Sequence, residues 1–414
     1  MLINIAKPQK SPHPLLNLGF RVFFLSSAVF AIITMLLWHY ALIVSPSVML
    51  KDFGVSLFYW HGHEMVFGYA LAVIAGFLLT AVKAWTGVPM PVGWKLFGIY
   101  LPWLVARVLF AAALFITDDV AKGVLLIALM ADVIFWALVT AVVTRAVWLV
   151  RQKRQAGIVA KLVLLLLCQL GFLLASSVGY TGGQWLSLYV ALFLVIGVVL
   201  TIGRRVLPFF IEKGVTVGKD RKPTGEQVSL PNAAWRDRMS LVSFVVFVIG
   251  FLADVPWLLS LGAAVCAFIN AWRLIGWHHH GIWIKPLLWS LYLSFWGMVA
   301  AFVMLSVTPI LDLPINAGVH LLALTGIGMM TVAMMARVSL GHTGRNIHEP
   351  PRLVGVMFTL MIGCVLVRSA LPLFVDDYMA LIAYAQGLWM ICFALFVIGF
   401  GRMLMQPRVD GVMG

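Results

Sequence analysis

The chain has 414 residues, of which 63% are hydrophobic and only 11% charged, and it carries a formal net charge of +14. An ordinary soluble domain has roughly 25% charged residues, so a soluble enzyme, a disordered tail and a nucleic-acid-binding factor are all excluded. What remains is a polytopic membrane protein with the lipid bilayer as its first partner and no nucleic acid.

Apolar windows of about 20 residues mark spanning helices. In chain order they predict an all-α bundle of twelve, at 20–44, 56–82, 94–116, 120–147, 158–177, 183–203, 239–253, 256–276, 285–308, 313–337, 352–373 and 378–401. Turn chemistry or charge separates them, as at Val88-Pro89-Met90-Pro91, Asp118-Asp119, Asp254-Val255-Pro256 and Pro350-Pro351. The first run, Phe20 to Val44, is too long for a signal-peptide core and has no small-residue cleavage site after it, so no cleavable signal is expected. The whole chain, 1–414, reads as one membrane domain. A first six-helix half (14–203) and a second (239–402) are joined by a basic loop at 204–238. Gly203-Arg204-Arg205 and Pro208 are expected to end the sixth span.

Charge orients the bundle. With the N-terminus inside, internal segments hold Arg145, Arg151, Arg154, Arg204, Arg205, Arg236, Arg238, Arg345 and Arg402, among others. The outer connections hold mostly acids: Asp52, Asp118, Asp119, Asp254, Asp312, Asp376 and Asp377, with only Lys51 and Lys122 against the trend. The positive-inside rule then predicts N-in and C-in.

Polar residues inside spans are expensive and mark interior sites. At ~1.5 Å per helical residue, His39 and His61 lie ~8 Å below the outer face, and His63 and His320 ~10 Å. Four imidazoles at one level form a constellation. Its centre is Trp60-His61-Gly62-His63-Glu64-Met65. Residues two apart on a helix diverge by roughly 200°, so His61 and His63 face opposite sides and each can serve a different metal or haem centre. Gly62 leaves space for a macrocycle or a neighbouring helix. Glu64 is placed near the His61 side, as a proton carrier or an orienting group. The spacing is not H-E-x-x-H, which argues against a zinc protease.

His320 joins the set by depth. His39, in Trp38-His39-Tyr40, reads equally as part of an interfacial aromatic belt. Arg107 and Arg368 occupy the same outer half and suit haem propionates; the alternative for Arg107 is an ion pair with Asp132. His342, after Gly341, reads chiefly as a helix cap, and His278-His279-His280 as a solvated loop. Met329, Met330, Met334 and Met335 read as packing rather than copper ligands. Cys168, Cys266, Cys364 and Cys392 fall in apolar runs without C-x-x-C spacing, so iron–sulfur and covalently attached haem are not expected. No Walker sequence supports an ATP-driven pump.

Gly19-Phe20-Arg21, Trp60 through Gly68, Gly76-Phe77-Leu78-Leu79-Thr80-Ala81-Val82, Trp85-Thr86-Gly87, Gly203 through Phe209 and Ser339 through Arg345 resemble the NnrS family of membrane proteins. The likeness runs from about residue 14 to 402. It implies a twelve-helix protein of the bacterial inner (cytoplasmic) membrane containing non-covalent haem b and copper, linked to nitric oxide metabolism and nitrosative stress. It also implies a histidine in the ninth span, where this chain has Leu291-Tyr292-Leu293. On depth and spacing, His61, His63, His320 and His39 are the candidate metal ligands, Arg107 and Arg368 the cofactor-holding arginines, and Glu64 the catalytic proton carrier. The expected activity is binding and removal or reduction of NO by a metallo-oxidoreductase fed by an unidentified electron donor. Two rival readings are a secondary transporter of a small solute or metal ion and a non-enzymatic haem or copper sensor.

Overall fold

The structure, a computed structural model, describes residues 13–44, 54–116, 118–218, 222–225 and 227–412. Lys51 and Asp52, part of the charge pattern above, lie outside them. Among the described residues the architecture is entirely helical, without a strand. We number the long helices α1 Gly19–Val44, α2 Leu57–Thr86, α3 Trp94–Ala113, α4 Asp118–Leu149, α5 Ala156–Ser177 and α6 Thr181–Val215. The others are α7 Ala234–Leu252, α8 Pro256–Gly276, α9 Pro286–Leu311, α10 Ile315–His342, α11 Leu353–Leu373 and α12 Tyr378–Met405. Eleven of the twelve are long and apolar enough to cross a membrane. The other, α7, places Arg236, Asp237 and Arg238 in its first turn, which shortens its apolar run.

Two helices are central. In α2, 83% of the apolar window is buried, and in α10, 72%, whereas α3, α5 and α11 bury 39% each. Sequence agrees with position: α2 and α10 are rich in small residues (Gly62, Gly68, Gly76; Gly318, Gly326, Gly328) that let neighbours approach. A Cβ on Gly76 would stand 2.8 Å from that of Phe23 on α1, and one on Gly328 2.8 Å from the Trp389 ring on α12. Most sequential neighbours pack as antiparallel pairs, and α1 packs on both α2 and α12, bringing the first and last helices together. At that junction the Arg21 guanidinium donates to the carbonyls of Leu404 (2.8 Å) and Gln406 (2.7 Å), capping the end of α12.

Both central helices widen locally into π-helix, at Glu64–Ala70 in α2 and Leu324–Met329 in α10. Two more such stretches occur: Tyr40–Val44 follows His39 in α1, and Leu366–Ala370 contains Arg368 in α11. These single-turn bulges recur at functional sites because they re-aim side chains within a continuous helix.

One expectation needs correction. The sixth helix does not stop at Gly203-Arg204-Arg205 but continues through Pro208 to Val215. Its extra turns bury Leu207, Pro208, Ile211, Gly214 and Val215, and the Lys285 ammonium donates to the carbonyls of Gly214 and Val217 at its end. Arg204 finds a carboxylate rather than a loop: Asp237 of α7 pairs with it and with Arg273 of α8 (2.9 Å). The connection between α6 and α7 therefore shrinks to residues 216–233.

Candidate functional site

The Trp60 to Met65 motif lies where α2 passes into its π-helical stretch, and its two histidines enter different environments. His63 belongs to a closed ring of ionisable groups. Its Nδ1 lies 3.1 Å from Glu64 Oε1, Glu64 pairs with Arg107 of α3, Arg107 pairs with Asp132 of α4, and Asp132 Oδ2 returns to within 3.7 Å of His63 Nε2. Exposure is 1% for His63, Glu64 and Asp132 and 5% for Arg107, so the ring is removed from solvent. Phe67, Phe110 and Phe172 surround the imidazole at centroid distances of 5.0, 4.5 and 4.9 Å. The guanidinium also lies over the rings of Phe30 and Phe110. Gly68 makes room for it, since a Cβ there would collide with the Arg107 guanidinium. Among the described residues, Asp132 Oδ1 and Arg107 Nε have no hydrogen-bond partner.

His63, Glu64 and Asp132 offer one donor atom each, all within 4.8 Å of one another, which is metal-binding proximity. Arg107, however, already holds both carboxylates. A cation entering there would meet a guanidinium at the same oxygens, so the ring suits proton storage better than copper.

His61 looks the other way. Its imidazole stacks on Trp38 of α1 at 4.6 Å and an interplanar angle of 10°, and its buried Nδ1 has no hydrogen-bond partner among the described residues. His320 of α10 and Arg368 of α11 are near enough to act on it electrostatically. His320 Nδ1 is 2.7 Å from the Asn316 carbonyl one turn back, and its Nε2 is 3.2 Å from Arg368. A carbonyl can only accept, so Nδ1 carries the proton and Nε2 presents a lone pair. That is the tautomer a metal-ligating histidine adopts, held by a backbone acceptor behind it. His39 lies beside Trp38 in sequence, with its Nδ1 2.7 Å from Gln386 of α12.

The predicted residues thus fall into two groups. His320 and Arg368 pair at 3.2 Å, near enough to His61 to act on it electrostatically, with His39 held by Gln386. His63, Glu64 and Arg107 form the buried ring with Asp132. Two expectations change. Glu64 faces His63 and Arg107 rather than His61, because the guanidinium draws its carboxylate across where the helix widens. Arg107 is occupied on both terminal nitrogens by Glu64 and Asp132, which leaves Arg368 as the arginine available for an anionic group. Gly62 lets a neighbouring helix approach: the Leu188 side chain of α6 packs against it.

Asp132 is the site residue that sequence reasoning weighed only as an ion-pair partner. The signal was present: it is the one acid within the apolar run 120–147. Elsewhere, His278 accepts from Trp283 (3.1 Å) and His279 caps a turn at Gly281, so these side chains serve their own loop. His342 packs its ring 5.5 Å from that of Phe20 at the opposite end of α10 from His320. All four cysteines are free and buried.

The family model described as NnrS protein matches residues 14–408, nearly the whole chain. No curated protein matches it.

Proposed function

The chain belongs to the NnrS family, and from that premise we propose that it is a haem-containing, and copper-containing, membrane protein of the nitric oxide response. Its cofactor would be held by His61, His320 and Arg368, and it would bind and remove NO there. The observation that carries this reading is the buried His61 Nδ1, which has no hydrogen-bond partner among the described residues, together with His320, whose Nδ1 is tied to Asn316 so that its Nε2 lone pair faces Arg368. Buried polar atoms without partners are uncommon and call for an explanation. Two imidazoles suit haem iron or copper(II), and Arg368 can hold a propionate bidentately.

A metal bound there supplies the coordination site for NO and, given electrons from a donor, the means to reduce it. The protein's own contribution is orientation and protons. Asn316 fixes the His320 tautomer, and Trp38 clamps the plane of His61. Reduction of NO consumes protons, and the ring behind His61 holds them: one guanidinium faces two carboxylates, and His63 bridges the two acids. Glu64 is the proton carrier in this reading, relayed through His63, and Asp132 is its counterpart. The charge pattern supports placing the His61 end on the periplasmic side of a bacterial inner membrane, with both termini inside.

Anaerobic addition of NO to the reduced, purified protein tests this. The expected result is a shift of the haem absorption bands and NO consumption when reductant is supplied. Glu64→Gln should slow consumption while keeping the NO-induced shift. A cofactor-loaded protein whose bands ignore NO would overturn the reading.

A further inference from the structure

A second feature lies at the other end of the bundle, away from the histidines. A crevice with about 80 Å³ of free space, open on one side, runs between α1, α2, α6, α9 and α10. Its walls are aliphatic and aromatic, with Phe77, Val199, Ile202, Leu291 and Phe295 representative. No histidine, cysteine or acid lines it, and the single hydroxyl, on Thr331, is already engaged by Tyr69 (2.6 Å) and the Gly328 carbonyl (3.1 Å).

Next to this apolar space is an uncompensated cation. Arg337 of α10 is 7% exposed, and its guanidinium lies 3.7 Å above the ring of Phe210, which lines the crevice. Met334, one turn earlier on the same helix, also lines it. Among the described residues, Arg337 has neither a carboxylate nor a hydrogen-bond acceptor. The other deeply buried arginines are served: Arg107 by two acids, Arg273 by Asp237 and Asn270, and Arg21 by carbonyls. A charge buried in a span normally pairs, and a cation–π contact replaces only part of what hydration gave.

We propose that the crevice is a site for an anionic phospholipid, with an acyl chain along the apolar walls and the head-group phosphate on Arg337. Charge complementarity selects an acidic amphiphile over a neutral one. The lining selects a lipid over a haem, because no imidazole or thiolate reaches the space and Leu291 fills the α9 wall. Position agrees: Arg337 is five residues from the end of α10 at His342, ~7.5 Å along the axis, which is head-group depth. With N-in topology this is the cytoplasmic leaflet, where basic pockets between spanning helices bind acidic lipids. The site binds the two halves of the chain together, since α1 and α2 form one wall and α9 and α10 the other.

Lipid extraction and mass spectrometry of protein purified in mild non-ionic detergent test the proposal. Wild-type protein should retain an anionic phospholipid, Arg337→Gln should lose it, and Arg352→Gln, an exposed change, should keep it. The crevice-filling Val199→Phe should also lose it with Arg337 intact, which covers the case in which Arg337→Gln does not fold. Phosphatidylglycerol added to delipidated wild type should raise its melting temperature more than phosphatidylcholine does, and the difference should vanish in Arg337→Gln. Equal retention by wild type and both crevice variants, or recovery of a haem or quinone from the crevice in place of phospholipid, would overturn it. Haem absorbance in Arg337→Gln should be unchanged, so failure here is separate from failure of the histidine site.

Discussion

At the scale of single residues, the ring His63–Glu64–Arg107–Asp132 is the most demanding feature of the molecule. Four ionisable side chains share a space lined by Phe67, Phe110 and Phe172, and only mutual pairing makes that tolerable. Removing the sole permanent cation should therefore be severe. Arg107→Gln is expected to destabilise the protein by about 3–5 kcal/mol, because it leaves two carboxylates buried together; a thermal melt in detergent reads this directly. Gly68→Ala should reproduce part of the loss by pressing on the guanidinium. Sequence alone resolved some of this geometry. The divergence of His61 from His63 follows from helical pitch, and it appears as the Trp38 stack on one side and the ring on the other. The attachment of Glu64 to Arg107 did not follow, because the partner is 43 positions away and chain spacing carries no record of which helices touch.

At the scale of helices, small residues decide which pairs pack. α7 and α8 meet backbone to backbone at Gly250 and Gly262. A Cβ on Gly262 would stand 2.7 Å from Phe247 Cα and 2.9 Å from the Val246 carbonyl carbon. Gly262→Val should then force the hairpin apart and cost roughly 1–3 kcal/mol, as overpacking does, lowering the melting temperature without touching either candidate site. Helix positions were largely legible because a span must be apolar for about 20 residues. The errors fall where that rule is silent. Arg204, Arg205 and Pro208 read as a stop, yet α6 runs on because Asp237 pairs with Arg204 and Lys285 caps the far end. The π-helical stretches had no sequence signature at all, and they contain Glu64 and Arg368.

At the scale of the molecule, the basic excess becomes a statement about sidedness. Reporter fusions after residue 225, within the α6–α7 connection, should be active as cytoplasmic fusions, and fusions at Asp254, between α7 and α8, as periplasmic ones. The reverse pattern would invert the proposed orientation and with it the placement of the histidine site. Within that frame the molecule has polar chemistry at two depths: imidazoles and Arg368 toward one end, and the apolar crevice with Arg337 toward the other. Composition pointed to the first, because titratable groups stand out in a chain with 11% charge. It was silent on the second, since an isolated arginine near a helix end reads from sequence as topology alone.

In the proposed function, His61 and His320 hold the cofactor. The most direct test is the oxidised and reduced absorption spectrum, with iron and copper analysis, of wild type, His61→Ala, His320→Ala and His279→Ala. A Soret band with stoichiometric metal in wild type and His279→Ala, lost or shifted in both site variants, is the predicted result. Wild-type protein without metal, or a spectrum indifferent to His61 and His320, would contradict the account.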